Sequence, residues 1–243
     1  VDFEQILIVL IGALCGGFVS GFVGFGTGIT AMGIWLHAVS PQIAASLVVI
    51  CSVISQAQTI PSVWHSIDRR RSLPFVLPGL IGVPLGTFLL THMDPGWFRL
   101  AMGILLLLFS GFFLWHENLK IAWGGRIADA AVGLCGGVLG GLAGLSGPSL
   151  TVWAALRGWG KDERRGVFQV FNLSILLAAL LAHAIAGNLT KEVGLAVLAA
   201  FPGTLAGAWL GMRAYYRLND LRYQRMTLGL LAISGLVLIW SNK

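Results

Sequence analysis

Leu14-Cys15-Gly16-Gly17-Phe18-Val19-Ser20-Gly21-Phe22-Val23-Gly24-Phe25-Gly26 returns about 120 residues later as Leu134-Cys135-Gly136-Gly137-Val138-Leu139-Gly140-Gly141-Leu142-Ala143-Gly144-Leu145-Ser146. Six positions are identical and four of these are glycine, inside sequence that is otherwise apolar. A glycine-broken apolar segment repeated in two halves of a chain is the mark of paired discontinuous membrane helices, which commonly border a substrate site.

The surrounding composition fits a membrane setting. The chain has 243 residues, of which 56% are apolar and 11% charged, with a mean hydropathy of +0.83. Apolar runs of about 20 residues, long enough to span a bilayer, cover 43–63, 73–91, 97–115, 166–187, 193–211 and 221–241. Two longer blocks, 5–36 and 126–156, hold the repeated motif. The expected fold is an all-α polytopic membrane protein forming one transport domain over 1–243. Repeat 1 covers about 5–116 and repeat 2 about 126–241. Further matches extend the repeat: Gly82 and Gly86 with Gly203 and Gly207, and Asp94, Arg99 and Gly103 with Asp220, Arg225 and Gly229.

The net charge of +6 does not point to nucleic acid, because the basic residues lie in short loops between spans, the pattern of topology signals. If both glycine-broken blocks crossed once, strict alternation would divide the basic residues nine to seven, which is no bias. If each block enters and returns on one side, the division is thirteen to three, with Arg99, Lys191 and Lys243 outside. This favours six crossings and two re-entrant helical hairpins in inverted repeats, with both termini periplasmic and the protein in the inner membrane. Trp35, Trp64, Trp97, Trp115, Trp153, Trp159, Trp209 and Trp240 are expected near the interfaces, and the basic run from Arg157 to Arg165 is expected as a cytoplasmic anchor on anionic lipid. The acidic N-terminus, with Asp2 and Glu4, lacks the basic region of a secretory signal. Cys15, Cys51 and Cys135 form no CxxC pair and read as small packing residues.

Backbone that leaves the helix at membrane depth must be buried in protein or line a cavity. Helices are expected to resume near Thr27 to Thr30 and near Ser146 to Ser149, with Thr27 and Ser146 as caps and Pro148 at a first helical position. Two helix N-termini then face the bilayer centre with unpaired N–H groups, a setting suited to an anion. Gly24, Gly26 and Gly28 let the backbone approach a ligand, as does Gly147, while Thr27 and Ser146 add hydroxyls. Polar residues within the neighbouring spans complete the candidate site: Ser52 and Gln56 in one, Gln169 and Asn172 in the other, for each of which an interhelical hydrogen bond is the alternative. Gly82-xxx-Gly86 and Gly203-xxx-Gly207-xxx-Gly211 read as close-packing faces. No Lys or Arg falls at the centre of the candidate site, no carboxylate falls near the middle of a span, and no metal or cofactor motif is present. His183 is a secondary candidate for proton coupling.

The run Gly21-Phe-Val-Gly24-Phe-Gly26-Thr-Gly28, its counterpart Gly141-Leu-Ala-Gly144-Leu-Ser146-Gly147-Pro148, the basic turn after it and the eight-segment layout resemble the TauE/SafE sulfite exporter family over essentially the whole chain. The resemblance implies a prokaryotic-type carrier of small sulfur-containing anions such as sulfite or short sulfonates, and not an enzyme. Many members carry consecutive glycines where this chain has Gly26-Thr27-Gly28 and Ser146-Gly147-Pro148, and the difference adds hydroxyl donors beside the breaks. The expected partners are therefore a small anion and the lipid bilayer, with a homodimer left open. A passive anion channel and a non-transporting membrane subunit are the competing readings.

Overall fold

The helix starts follow local side-chain chemistry. The structure, a computed structural model, describes residues 3–90, 97, 100, 103–104, 107–108, 110–111, 124–143, 146–185 and 187–240. The elements in chain order are α1 Phe3–Val23, α2 Thr27–Trp35, α3 Pro41–Val63 with a 3-10 turn Trp64–Ser66, α4 Arg69–Leu90, α5 Arg126–Ala143, α6 Gly147–Leu156, α7 Lys161–Ile185, α8 Lys191–Tyr216 and α9 Asp220–Trp240. Asp68 Oδ1 accepts the N–H groups of Arg70 and Arg71 ahead of α4, Thr190 Oγ1 that of Val193 in α8, and Asn219 Oδ1 that of Arg222 in α9. Each is a short polar side chain meeting a first-turn donor that has no partner within the helix.

Among the described residues, the segments Phe3–Val23, Ile43–Ser66, Lys161–Ile185 and Lys191–Tyr216 are long and apolar enough to cross a membrane. The span expected at 97–115, residues 144–145 of the second break, and Asp94 and Arg99 of the repeat lie wholly or largely outside the described residues.

Glycines decide which helices touch. On α1, Gly17 and Gly21 face α8, where an added Cβ would lie 2.6 Å from the Thr204 carbonyl and 2.2 Å from that of Ala208. The contact is reciprocal: Gly203, Gly207 and Gly211 sit against the carbonyls of Leu10, Leu14 and Phe18. The same device joins α5 to α4, where a Cβ on Gly133 or Gly137 would lie 2.3 or 2.0 Å from the carbonyl of Phe75 or Gly79, and Gly82 meets Leu134. Only a residue without a side chain permits backbones this close. Each half's glycine block thus packs on a long helix of the other half.

A second glycine face folds each block on itself. Gly12 and Gly16 of α1 lie against Trp35 and Ala31 of α2, so α2 runs back along α1. The indole N–H of Trp35 donates to the Val9 carbonyl at 2.9 Å, and in the second half that of Trp153 donates to Asp129 Oδ1 at 2.7 Å. In each block a tryptophan of the shorter helix thus bonds back to the longer one. Of the indoles expected near the interfaces, Trp35, Trp153 and Trp159 are buried in the protein, whereas Trp64, Trp97, Trp209 and Trp240 are exposed.

Candidate functional site

The C-terminal carbonyls of a helix have no partner within it, and those of α1 end in the protein interior. Those of Ser20, Gly21 and Val23, and the Gly24 carbonyl that follows, are met by side chains from other elements. Arg165 of α7 donates through Nη1 to the Ser20 carbonyl at 3.3 Å and through Nη2 to that of Gly21 at 2.6 Å. The Tyr223 hydroxyl of α9 donates to the Val23 carbonyl at 3.0 Å. The Gly24 carbonyl accepts from Gln56 Nε2 of α3 at 2.5 Å and from Asn172 Nδ2 of α7 at 3.0 Å. Three helices therefore hold the first break in place.

Gly24 and Gly26 then turn the chain at φ of +99° and +102°, values that glycine adopts without strain. The helix resumes at Thr27, as expected, but Gly26 occupies the cap position and Thr27 is the first helical residue. Gly26 accepts from both the N–H and the hydroxyl of Thr30, so the N–H groups of residues 27–29 are the ones left over at this helix start. In the second half Ser146 does stand at the cap of α6, with Pro148 in the first turn. Its hydroxyl makes no cap bond; it donates instead to Asn172 Oδ1.

A small cavity opens where these pieces meet. Of the ten residues anticipated from the sequence, Gly26, Thr27, Gly28, Ser52, Gln56, Ser146 and Asn172 line it, together with Ser20, Phe25 and Leu176, which the sequence reading omitted. Gly24, Gly147 and Gln169 do not line it. Gly24 contributes the carbonyl that Gln56 and Asn172 grip. Gly147 is covered by the Phe25 ring, which lies 2.1 Å from where its Cβ would be. Gln169 stands behind Gln56, donating to its carbonyl at 2.7 Å and to Thr59 Oγ1 at 2.9 Å. The amides of Gln56, Gln169 and Asn172 thus make the interhelical bonds that were the alternative to a ligand-facing role, although Gln56 and Asn172 also reach the cavity wall.

The lining carries unspent polar capacity. Ser20 and Thr27 are 1% exposed, and the hydroxyls of both, with Gln56 Oε1, have no hydrogen-bond partner. Buried hydroxyls are nearly always paired in a finished core. Two free hydroxyls beside a helix N-terminus, in a lining without carboxylates, match the chemistry of a small oxyanion.

Arg165 departs from the lipid-anchor role expected for the run Arg157 to Arg165: it bonds to the Ser20 and Gly21 carbonyls beside the cavity without lining it. It belongs to the second turn of α7, not to an exposed basic loop, and it is fully buried. A signal was available: Arg165, Gln169, Asn172 and Leu176 recur at helical spacing on one face of α7. No comparable signal ties Tyr223 or Ser20 to the site.

A family model described as Sulfite exporter TauE/SafE matches residues 8–238. No curated protein and no solved structure matches the chain. The homodimer left open by the sequence gains no support from these findings.

Proposed function

Since the chain belongs to the TauE/SafE sulfite exporter family, whose members are membrane transporters of small anions, we propose that it carries sulfite or a short organosulfonate across the inner membrane through the cavity at the α1–α2 break. The anion binds at the N-terminus of α2, taking the N–H groups of residues 27–29 and the hydroxyls of Thr27 and Ser20. Gln56 and Asn172 act chiefly by fixing the break, and Asn172 holds the Ser146 hydroxyl beside it. The observation that carries this reading is Thr27 itself: first residue of its helix, 1% exposed, on the cavity wall, its hydroxyl unpartnered.

The two blocks, each with a tryptophan bonded across it and each packed through glycines on a long helix of the other half, support an inverted pair of re-entrant elements with both chain termini periplasmic. Rocking of one pair against the other gives alternating access. An inside-negative potential favours anion exit by about 2.3 kcal/mol per charge per 100 mV, so export needs no carboxylate relay.

A thermal-shift series with sulfite, sulfate, thiosulfate and short sulfonates tests the reading. Sulfite or a sulfonate is expected to raise the unfolding midpoint of the wild type, and Thr27→Val, which removes only the hydroxyl, to abolish the shift. An equal shift in Thr27→Val would remove Thr27 from the site.

A further inference from the structure

Among the described residues, Arg165 brings a full charge beside the cavity, and its surroundings leave that charge without a carboxylate partner. It is 0% exposed. The acids nearest to it in sequence are engaged elsewhere: Asp162 accepts the Tyr215 hydroxyl, and Glu163 pairs with Arg71. Among the described residues no carboxylate lies within ion-pair distance of Arg165. Its guanidinium rests on two neutral carbonyls and over the Tyr215 ring at 5.5 Å, and Nε has no partner. A buried cation lacking a counter-ion is costly to keep, and a buried ionisable group in a membrane protein of this kind marks function more often than stability.

The geometry connects this charge to the cavity. Ser20 is shared: its carbonyl holds Nη1, while its unpartnered hydroxyl belongs to a residue of the cavity wall. Gly24 leaves open the space the guanidinium occupies, since a Cβ there would lie 2.8 Å from Nη1. An oxyanion offers the two-pronged charged acceptor that a guanidinium fork fits best, and bonds to it are roughly twice as strong as those to neutral carbonyls.

We infer that Arg165 is a mobile counter-charge for the transported oxyanion, leaving the carbonyls of Ser20 and Gly21 to meet the anion as it passes the cavity. The inference rests on the proposed anion site. In the empty protein the guanidinium completes the C-terminal end of α1; in the loaded protein the anion replaces those carbonyls. Movement of Arg165 thereby couples occupancy of the site to the integrity of the break.

The test uses the full-length protein in detergent and sodium sulfite as the probe. Calorimetric titration is expected to show binding at least about tenfold weaker in Arg165→Gln and intermediate in Arg165→Lys, which keeps the charge but not the fork. Thermal midpoints without sulfite are expected to fall in both variants, because neither retains the fork. A second readout needs no loss-of-charge variant: in protein labelled with 15N-arginine, sulfite is expected to shift the Arg165 Nε resonance, assigned by its absence in Arg165→Lys. Native sulfite affinity in Arg165→Gln, or an unmoved Nε resonance at saturation, would reduce Arg165 to a fixed cap. If those results accompany loss of binding in Thr27→Val, the anion site stands and the counter-charge role alone falls. If the wild type binds no sulfite, the site itself is refuted.

Discussion

Replacing Gly24 by alanine separates two effects that coincide at the first break. Gly24 and Gly26 have nearly the same positive φ, +99° and +102°, so an alanine at either position incurs a backbone penalty of about 1–2 kcal/mol. Their neighbours differ. The new methyl at Gly26 meets only Val19 Cγ1 at 2.9 Å, which a rotamer adjustment of about 0.5–1.5 kcal/mol relieves. The methyl at Gly24 meets Arg165 Nη1 at 2.8 Å and pushes the guanidinium off the Ser20 and Gly21 carbonyls. Each hydrogen bond to a charged group contributes about 1.5–3 kcal/mol. Gly24→Ala is therefore expected to destabilise by about 2–5 kcal/mol more than Gly26→Ala. Denaturant unfolding in detergent, followed by tryptophan fluorescence, measures both variants against wild type. Equal losses, or a larger loss in Gly26→Ala, would show that Arg165 is not held at the break as described.

Two further perturbations probe the frame around the site. Gly137→Ala would place a methyl 2.0 Å from the Gly79 carbonyl and must part α4 from α5, whereas Gly194→Ala in α8 meets nothing within 4 Å; loss of monodisperse, folded protein is expected for the first and wild-type behaviour for the second by size-exclusion chromatography, and equal behaviour would refute the glycine contacts. Asn172→Leu strands the buried Ser146 hydroxyl and removes one of two donors to the Gly24 carbonyl, while Gln56→Leu removes only the other donor. An unpaired buried group costs about 1–3 kcal/mol, so Asn172→Leu is expected to lower the unfolding free energy by about that much more than Gln56→Leu, and the reverse order would overturn the assigned network.

How much of this was legible from the sequence depends on what kind of signal each residue leaves. Breaks at Gly21 to Gly28 and Gly140 to Pro148 are what the glycine clusters suggest; in the first α1 runs on to Val23 and only residues 24–26 leave the helix, while in the second α5 runs on to Ala143 and residues 144–145 lie outside the described ones. Ser52, Gln56 and Asn172 were legible because an amide or hydroxyl inside an apolar span needs a partner. Arg165 left a weaker signal: next to Arg164, Glu163 and Asp162 it reads as an exposed turn, and its spacing with Gln169, Asn172 and Leu176 becomes informative only because α7 extends back to Lys161. The crosswise pairing of α1 with α8 and α5 with α4 was illegible for a different reason: Gly203-xxx-Gly207 announces a close contact without naming the helix it meets. Gly147 shared its partner's spacing, yet the Phe25 ring covers it, a long-range contact that leaves no local pattern. The cap at Gly26 displaced Thr27 by one position, within the ordinary uncertainty of a helix end.

Sulfite counterflow in proteoliposomes tests most directly whether the cavity at the α1–α2 break carries the anion. Vesicles loaded with unlabelled sulfite and diluted into a trace of radiolabelled sulfite are expected to accumulate label transiently when they contain the wild-type protein. Vesicles with equal amounts of folded Thr27→Val are expected to take up label about tenfold more slowly or less, in line with the loss of one hydrogen bond to a charged ligand. Counterflow at the native rate in Thr27→Val, or none in the wild type, would contradict the assignment.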